Sequence, residues 1–325
     1  MRSLDVQVLA RVVDWLQSGT RVWLCTIVDT WGSSPRPIGS MLAVNAAGQW
    51  AGSVSGGCLE EDLIRRFTEE APETAAPSFV DYGVTDADKS HFQLPCGGQI
   101  RLLIEPLSGD VATAHMVELV ERLERREPVT RVLSLSGAAP VLQAATLAPG
   151  VLQEGSSIYH TLGPRTRMLL IGAGEVSRFI ARFAAAADFD VTVCEPRETF
   201  LNGWDEPGIE TLQVLPDDLI RKSFHDRYCA ILALAHDPRV DDMALLEAFR
   251  SSAFYIGAMG SQRTSAARRE RLFQLGVDRN AMTRLHAPIG FNIGSKTPAE
   301  IAISAMAQVV AERYRLLVRN VPRPT

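Results

Sequence analysis

At 325 residues the chain is long enough for two domains with separate cores. Its 33 Lys and Arg against 38 Asp and Glu leave a formal charge of -5, which excludes a general nucleic-acid binder, because such a protein needs a basic face to displace counterions. A hydrophobic fraction of 46% with 22% charged residues, and no run of about 18 apolar residues, reads as a globular chain without a membrane span.

Leu4, Val8, Val12, Trp15 and Leu16 recur at helical spacing and predict a first helix facing the core. Asp5 and Asp14 interrupt the stretch, which argues against a secretory segment. Residues 22–28 read as a buried strand, followed by the turn-rich WGSSPRPIGS (31–40) and a second strand at 41–44. AGSVSGGCLEEDL (51–63) passes from a glycine-rich turn into a helix whose Leu59, Leu63 and Phe67 face the core, and a Pro- and Ala-rich stretch (71–77) ends it. Residues 79–82 and 99–105 read as strands on either side of the tight turn LPCGG (94–98). Met116, Leu119, Val120 and Leu123 mark another amphipathic helix, and 129–135 with 141–145 suggest a hairpin. The first domain is expected over 1–155, with a polar linker over 156–166.

From residue 167 the pattern changes. Strands near 168–171, 191–194, 212–215, 230–234, 254–256 and 285 alternate with helical stretches. That alternation predicts a doubly wound parallel sheet over 167–325, so the fold class is α/β: a mixed α/β first domain and then a Rossmann-like one.

The sharpest local signal is LLIGAGEVSRFIARF (169–183). Gly172 makes the turn off the strand, and Gly174 lets a pyrophosphate approach the helix N-terminus. Ser177 stands at the third position of the GxGxxG pattern. Glu195 ends the second strand, where a carboxylate would grip a ribose hydroxyl; by charge it would oppose a 2′-phosphate, favouring NAD over NADP. His236 and Asp237 lie in LALAHDPRVDD, at the C-terminal end of another strand, and either contact a ligand or simply start the next helix. YIGAMGSQRTS adds Gly260 and Ser261 at a helix start, and HAPIGFNIGSKTPAE adds Gly290 in a glycine-rich lead-in. Thr297, Pro298 and Glu300 form a capping box, so helix initiation is the better account of TPAE.

In the first domain, Ser33, Ser34 and Arg36 offer hydroxyls and a fixed cation. Ser55, Gly56 and Gly57 offer backbone donors beside Cys58, which stands at a helix N-terminus where an anion or thiolate is favoured. Cys96, Gly97 and Gly98 form a second such turn. The five cysteines include no CxxC pair, which suits a reducing cytoplasm. Cys25, Cys194 and Cys229, on apolar strands, read as buried and inert, whereas functional and structural roles stay open for Cys58 and Cys96. His91, His115, His160 and His225 are isolated. No zinc-ligand spacing, nucleophile elbow or P-loop lysine is present.

Taken together, GSSPRPIGSMLAV, GSVSGGCLEEDL, LPCGGQIRLLIEPL, the glycine-turn segment, LAHDPRVDD, YIGAMGSQRT and HAPIGFNIGSKTPAEIAISAM resemble the XdhC/CoxI family, accessory proteins of xanthine dehydrogenase and related molybdenum hydroxylases. The resemblance runs from about residue 5 to 318. It implies a chaperone that binds molybdenum cofactor (molybdopterin or its cytosine dinucleotide form), presents it to a cysteine desulfurase for sulfuration, and delivers it to the large subunit of an apo-hydroxylase. It also implies a homodimer. Cys58 and Cys96 would then contact molybdenum or carry a persulfide. The Rossmann half would hold the nucleotide end of the cofactor, or NAD or another nucleotide. The competing readings are an NAD-dependent oxidoreductase, with His236 as its only candidate for proton transfer, and a scaffold with a degenerate nucleotide site.

Overall fold

The computed structural model describes residues 4–32, 36–70, 76–83, 98–146 and 149–318. The chain divides into two compact units between Pro164 and Arg165.

The first unit opens with helix α1 (Leu4–Gln17), then strands β1 (Val22–Trp31), β2 (Met41–Asn45) and β3 (Trp50–Gly52). Helix α2 (Cys58–Arg65) runs into a single π turn (Arg66–Glu70), followed by β4 (Ser78–Tyr82), β5 (Gln99–Leu107) and helix α3 (Gly109–Glu124). These strands form an antiparallel sheet in the order β3-β2-β1-β5-β4.

The central strand β1 is apolar without alternation because both its faces are covered. Val22 and Leu24 pack with Val8, Val12 and Leu16 of α1 and Met116, Leu119 and Leu123 of α3. On the other face Trp23, Cys25 and Ile27 pack with Leu59, Leu63 and Phe67, and the Trp23 and Phe67 rings stack 5.0 Å apart.

Four more strands, β6 (Val129–Ser134), β7 (Val141–Ala144), β8 (Gly150–Glu154) and β9 (Ser157–Leu162), make a second antiparallel sheet in the order β7-β6-β9-β8. The stretch that reads as a linker in the sequence therefore contains β9. Its residues pair on one edge with β6 and on the other with β8, and Ile158 is buried against Leu103 and Leu133. The buried Arg131 of β6 ties the second sheet to the first. It donates to both Glu105 carboxylate oxygens, and its Nε donates to His115 of α3 at 2.9 Å. Burial and the neighbouring guanidinium pull His115 down to about 4, so it stays a neutral acceptor. This fits a core histidine and not a catalytic one.

The second unit runs β10 (Arg167–Ile171), α4 (Glu175–Ala186), β11 (Asp190–Cys194), α5 (Glu198–Leu201), β12 (Glu210–Leu212), α6 (Pro216–Ser223), β13 (Cys229–Ala233) and α7 (Pro238–Arg250). It continues with β14 (Tyr255–Ala258), α8 (Gln262–Gln274), α9 (Arg279–Met282), β15 (Leu285–His286) and α10 (Pro298–Val318).

The six strands are parallel in the order β12-β11-β10-β13-β14-β15, the doubly wound arrangement expected from the alternating pattern. Apolar clusters cover both sheet faces. The third strand lies earlier than the sequence suggests. Pro216 sits at the first position of α6 with Leu215 as its N-cap, so Val214 and Leu215 have already left the sheet and are exposed. The strand order reverses between β10 and β13, which places a crevice outside their C-terminal ends. The capping box at the start of α10 is present, with Glu300 N–H donating to Thr297 Oγ1 and Thr297 N–H to Glu300 Oε2.

Candidate functional site

In the first unit the topology gathers the motif loops. β1 ends at Trp31 opposite Gln99, the first residue of β5, and β2 begins at Met41 opposite Thr26. β3 ends at Gly52, beside Met41, where a Cβ would strike the Met41 carbonyl oxygen. Gly32, residues 36–40, residues 53–57 and Gly98 thus lie at one end of the sheet. Gly32 and Gly98 come close enough there that a Cβ on Gly32 would lie 3.3 Å from Gly98 Cα. Ser33, Ser34, Cys96 and Gly97 lie outside the described residues, as does the side chain of Cys58, whose backbone opens α2.

A groove of about 980 Å³ lies at this end, lined by Arg36, Ser40, Trp50, Ser53, Gly56, Gly57 and residues of α1. Trp50 is 56% exposed, an indole face offered at the groove wall. Sequence reasoning does not single it out; its signal is a large aromatic where β3 meets solvent.

The glycine-rich loop is not an open anion nest. Glu60, three residues into α2 and 6% exposed, turns back into it. Its Oε1 accepts from Ser53 Oγ at 2.8 Å and from the N–H groups of Val54 (2.8 Å), Ser55 (2.9 Å) and Gly56 (3.2 Å). Its Oε2 accepts from Gly57 N–H at 2.8 Å and from Ser55 Oγ. Burial raises the carboxyl, but these hydrogen bonds prevail and hold it down at about 2. The donors expected from Ser55, Gly56 and Gly57 are therefore occupied by the protein's own carboxylate. With Gly at the N-cap, the hydroxyl that usually announces a capping box is missing, so the sequence gives no sign of the role of Glu60.

The second unit holds a crevice of about 410 Å³ at the switch point, lined by Gly172, Gly174, Arg197, Phe200 and the turn from Leu234 to Arg239. Gly172 is obligatory. Its φ is +106°, and a Cβ would lie 2.6 Å from Ala235 Cα. Gly174 is the N-cap of α4, with nothing within 4 Å of its would-be Cβ. Ser177 is buried beneath, so the third motif position does pack closely.

Glu195 does not face this crevice. It is 0% exposed, and both carboxylate oxygens are in use. Oε1 accepts from Arg197 N–H (2.9 Å) and Nε (2.7 Å), and Oε2 from Arg197 Nη2 (2.8 Å) and Ala173 N–H (3.1 Å). Despite burial, these bonds keep it below the usual carboxylate range. The ribose contact expected of Glu195 has no free acceptor, and the side chain at the crevice is Arg197.

His236 lines the crevice in a left-handed conformation, φ 56°, uncommon outside glycine, and is exposed. Asp237 is the N-cap of α7, accepting from Arg239 N–H at 3.0 Å and pairing with the Arg239 side chain, so its carboxylate serves the helix start. Gly260 and Ser261 are not among the crevice-lining residues. Ser261 caps α8 by accepting from Thr264 N–H, and a Cβ on Gly260 would strike Thr264 Oγ1. Gly290 also lies away from it. It packs against Ser304 of α10 and donates its N–H to Gln308.

Behind the crevice turn, Asp241 accepts from Ala235 N–H (3.1 Å) and from Arg268 (2.9 Å). Arg268 also donates to Asp242 and to the Met259 carbonyl, joining the ends of β13 and β14. Burial pushes Asp241 up to about 6 against the pull of Arg268.

Cys25, Cys194 and Cys229 are buried, as their strand positions predicted, and burial raises the Cys25 and Cys194 thiols. Among the described residues no group of three or more His, Cys, Asp or Glu is placed to hold a metal, and no helix is long and apolar enough to cross a membrane.

A layered antiparallel unit with a loop-lined groove, and a doubly wound unit with a glycine-turn crevice, define a two-unit α/β protein. Residues 168–309 match the family profile described as the XdhC Rossmann domain, and residues 15–83 the profile described as the XdhC and CoxI family. Together the two matches cover more than half of the chain, and the chain belongs to the XdhC/CoxI family. The molybdenum cofactor insertion chaperone PaoD of Escherichia coli (strain K12) is 26% identical over 306 residues, 94% of this chain and 88% of that protein. A protein of Bacillus subtilis (strain 168), described as a probable xanthine dehydrogenase subunit, is 24% identical over 91% of this chain and 94% of that one. A crystal structure from Bacillus halodurans, described as a xanthine dehydrogenase, shares the fold with a TM-score of 0.76 at 24% identity, over 98% of both chains.

Proposed function

We propose that this protein is a molybdenum cofactor chaperone. It takes the pterin dithiolene as cargo, shields it, presents it to a cysteine desulfurase for sulfuration, and delivers it to the large subunit of an apo molybdenum hydroxylase. The observation that carries this reading is the groove at the end of the first sheet. It combines the exposed indole of Trp50, the Arg36 guanidinium and the hydroxyls of Ser40 and Ser53, groups that suit a planar, anionic pterin. The near full-length likeness to a protein named as a molybdenum cofactor insertion chaperone supports it.

Holding and release need binding groups, and no general base is assigned. Cys58, at the first residue of α2, and Cys96, two positions before Gly98 in the sequence, are the thiols for molybdenum or a transient persulfide. The work takes place in the cytoplasm, where cofactor and clients are assembled, and a second copy of the chain completes a dimer.

Because the amides of residues 54–57 are taken by Glu60, the phosphate of the cargo falls to Arg36. Anaerobic purification from a host that makes the cofactor tests the reading, with metal analysis and mass spectrometry of the released pterin. Near-stoichiometric molybdenum and pterin are expected, and released cytidine nucleotide would identify the dinucleotide form. Trp50→Ala and Arg36→Ala each lower retention about ten-fold, the loss of one stacking or charge-assisted contact. Nicotinamide nucleotide without pterin would overturn the proposal.

A further inference from the structure

We propose that the crevice of the second unit binds a dinucleotide carrying an extra phosphomonoester on its adenosine ribose, the NADP type, and that Arg197 selects for that phosphate. This site is separate from the groove proposed for the pterin.

Three observations carry the inference. First, the Gly172–Gly174 turn at the start of α4 is shaped for a pyrophosphate: Gly172 permits the turn, and Gly174 leaves open space above the helix N-terminus. Second, the acceptor that would recognise an unsubstituted ribose is missing. Glu195 is fully buried, and each of its oxygens already accepts two hydrogen bonds. Third, Arg197 stands at the crevice just after β11, where the adenosine ribose lies in doubly wound folds. Its Nε and Nη2 donate to Glu195, and Nη2 also reaches the Ala235 carbonyl at 3.4 Å. Nη1 makes no hydrogen bond among the described residues. The guanidinium centre lies 4.1 Å from the Phe200 ring centroid, so its plane is held by an aromatic backing.

A guanidinium only donates, and its natural complement is a phosphate oxygen. Glu195 fixes the group and offsets part of its charge. The preference is therefore set at about ten-fold, the size of one charge-assisted hydrogen bond at a half-exposed site.

Isothermal titration of the full-length protein with NADP+ and NAD+ at low salt tests this. NADP+ is expected to bind about ten-fold tighter, with the gap narrowing as salt rises. Arg197→Gln keeps a donor for Glu195 but removes the charge; it should bring the two affinities together, because NADP+ loses more than NAD+ does. If that variant fails to fold, Phe200→Ala, at a half-exposed ring, should shrink the preference in the same direction. Adenosine 2′,5′-bisphosphate should displace NADP+, and inorganic phosphate at equal concentration should not. Equal affinities in the unsubstituted protein, tighter NAD+, binding of neither, or displacement by inorganic phosphate alone would each overturn the proposal. Molybdenum content, read on a separate preparation, is unaffected by any of these outcomes.

Discussion

Glu60 shows how one side chain can reassign a motif. The sequence GSVSGG offers backbone donors, and the fold spends them on a carboxylate four residues along from Gly56. Replacing it with Ala leaves the buried Val54 N–H and the part-buried N–H groups of residues 55–57 without this acceptor, and the first unit should lose about 1–3 kcal/mol in urea denaturation. The pH dependence follows from the lowered folded value. The stabilisation is complete above about 4.5, where the unfolded carboxylate is charged, and is lost as pH falls toward about 2. The Glu60→Ala variant should have a flatter stability profile over that window. At this scale the sequence is least informative. The turn positions are visible in it, and so is the burial of Cys25, Cys194 and Cys229. The partner choices of Glu195 and Glu60 are not, because each depends on the direction in which a side chain turns after the fold is complete.

Among the elements, the β10–α4 turn is the most legible, because its spacing has few backbone solutions. It also separates structural from binding roles. Gly172→Ala forces a Cβ against Ala235 in a left-handed conformation and should cost about 1–3 kcal/mol. Gly174→Ala meets nothing and keeps an ordinary φ of -95°, so stability should stay within about 0.5 kcal/mol. Dinucleotide affinity, measured by titration, should nevertheless fall. Ser177 gives a third outcome. Its hydroxyl is buried with no hydrogen-bond partner among the described residues, so Ser177→Ala should raise the thermal midpoint, through a gain of about 1 kcal/mol. The elements that sequence reasoning misplaces are those with weak apolar contrast. β9, with Ser157, Tyr159 and Thr161 alternating along it, falls in the stretch that reads as a linker, and β12 ends before the apolar pair Val214–Leu215 that draws attention to it.

The molecule as a whole is two units with separate cores, legible from the change of pattern near residue 167. Four of the five tryptophans, Trp15, Trp23, Trp31 and Trp50, lie in the first unit, and Trp204 is alone in the second. The buried Arg268–Asp241–Asp242 cluster belongs wholly to the second. Arg268→Ala leaves the buried Asp241 without its cation, while Asp242 keeps Arg271, and should lower the stability of that unit by about 3 kcal/mol. Circular dichroism would follow it, and fluorescence in a Trp204→Phe background would report the first unit alone. The first unit's transition, read from its own tryptophans, should not move. A shift of both together would show that the two cores melt as one.

The carboxylate in the loop at 53–57 also bears on how such a protein lets go. A loop that depended on its cargo's phosphate for its shape would collapse when the cargo left, and would have to be reordered at every loading. Here the negative charge is covalently part of the chain, so the loop does not need cargo to hold its shape. Exchange then involves little rearrangement, and a carrier of the kind proposed can be at once selective and quick to release.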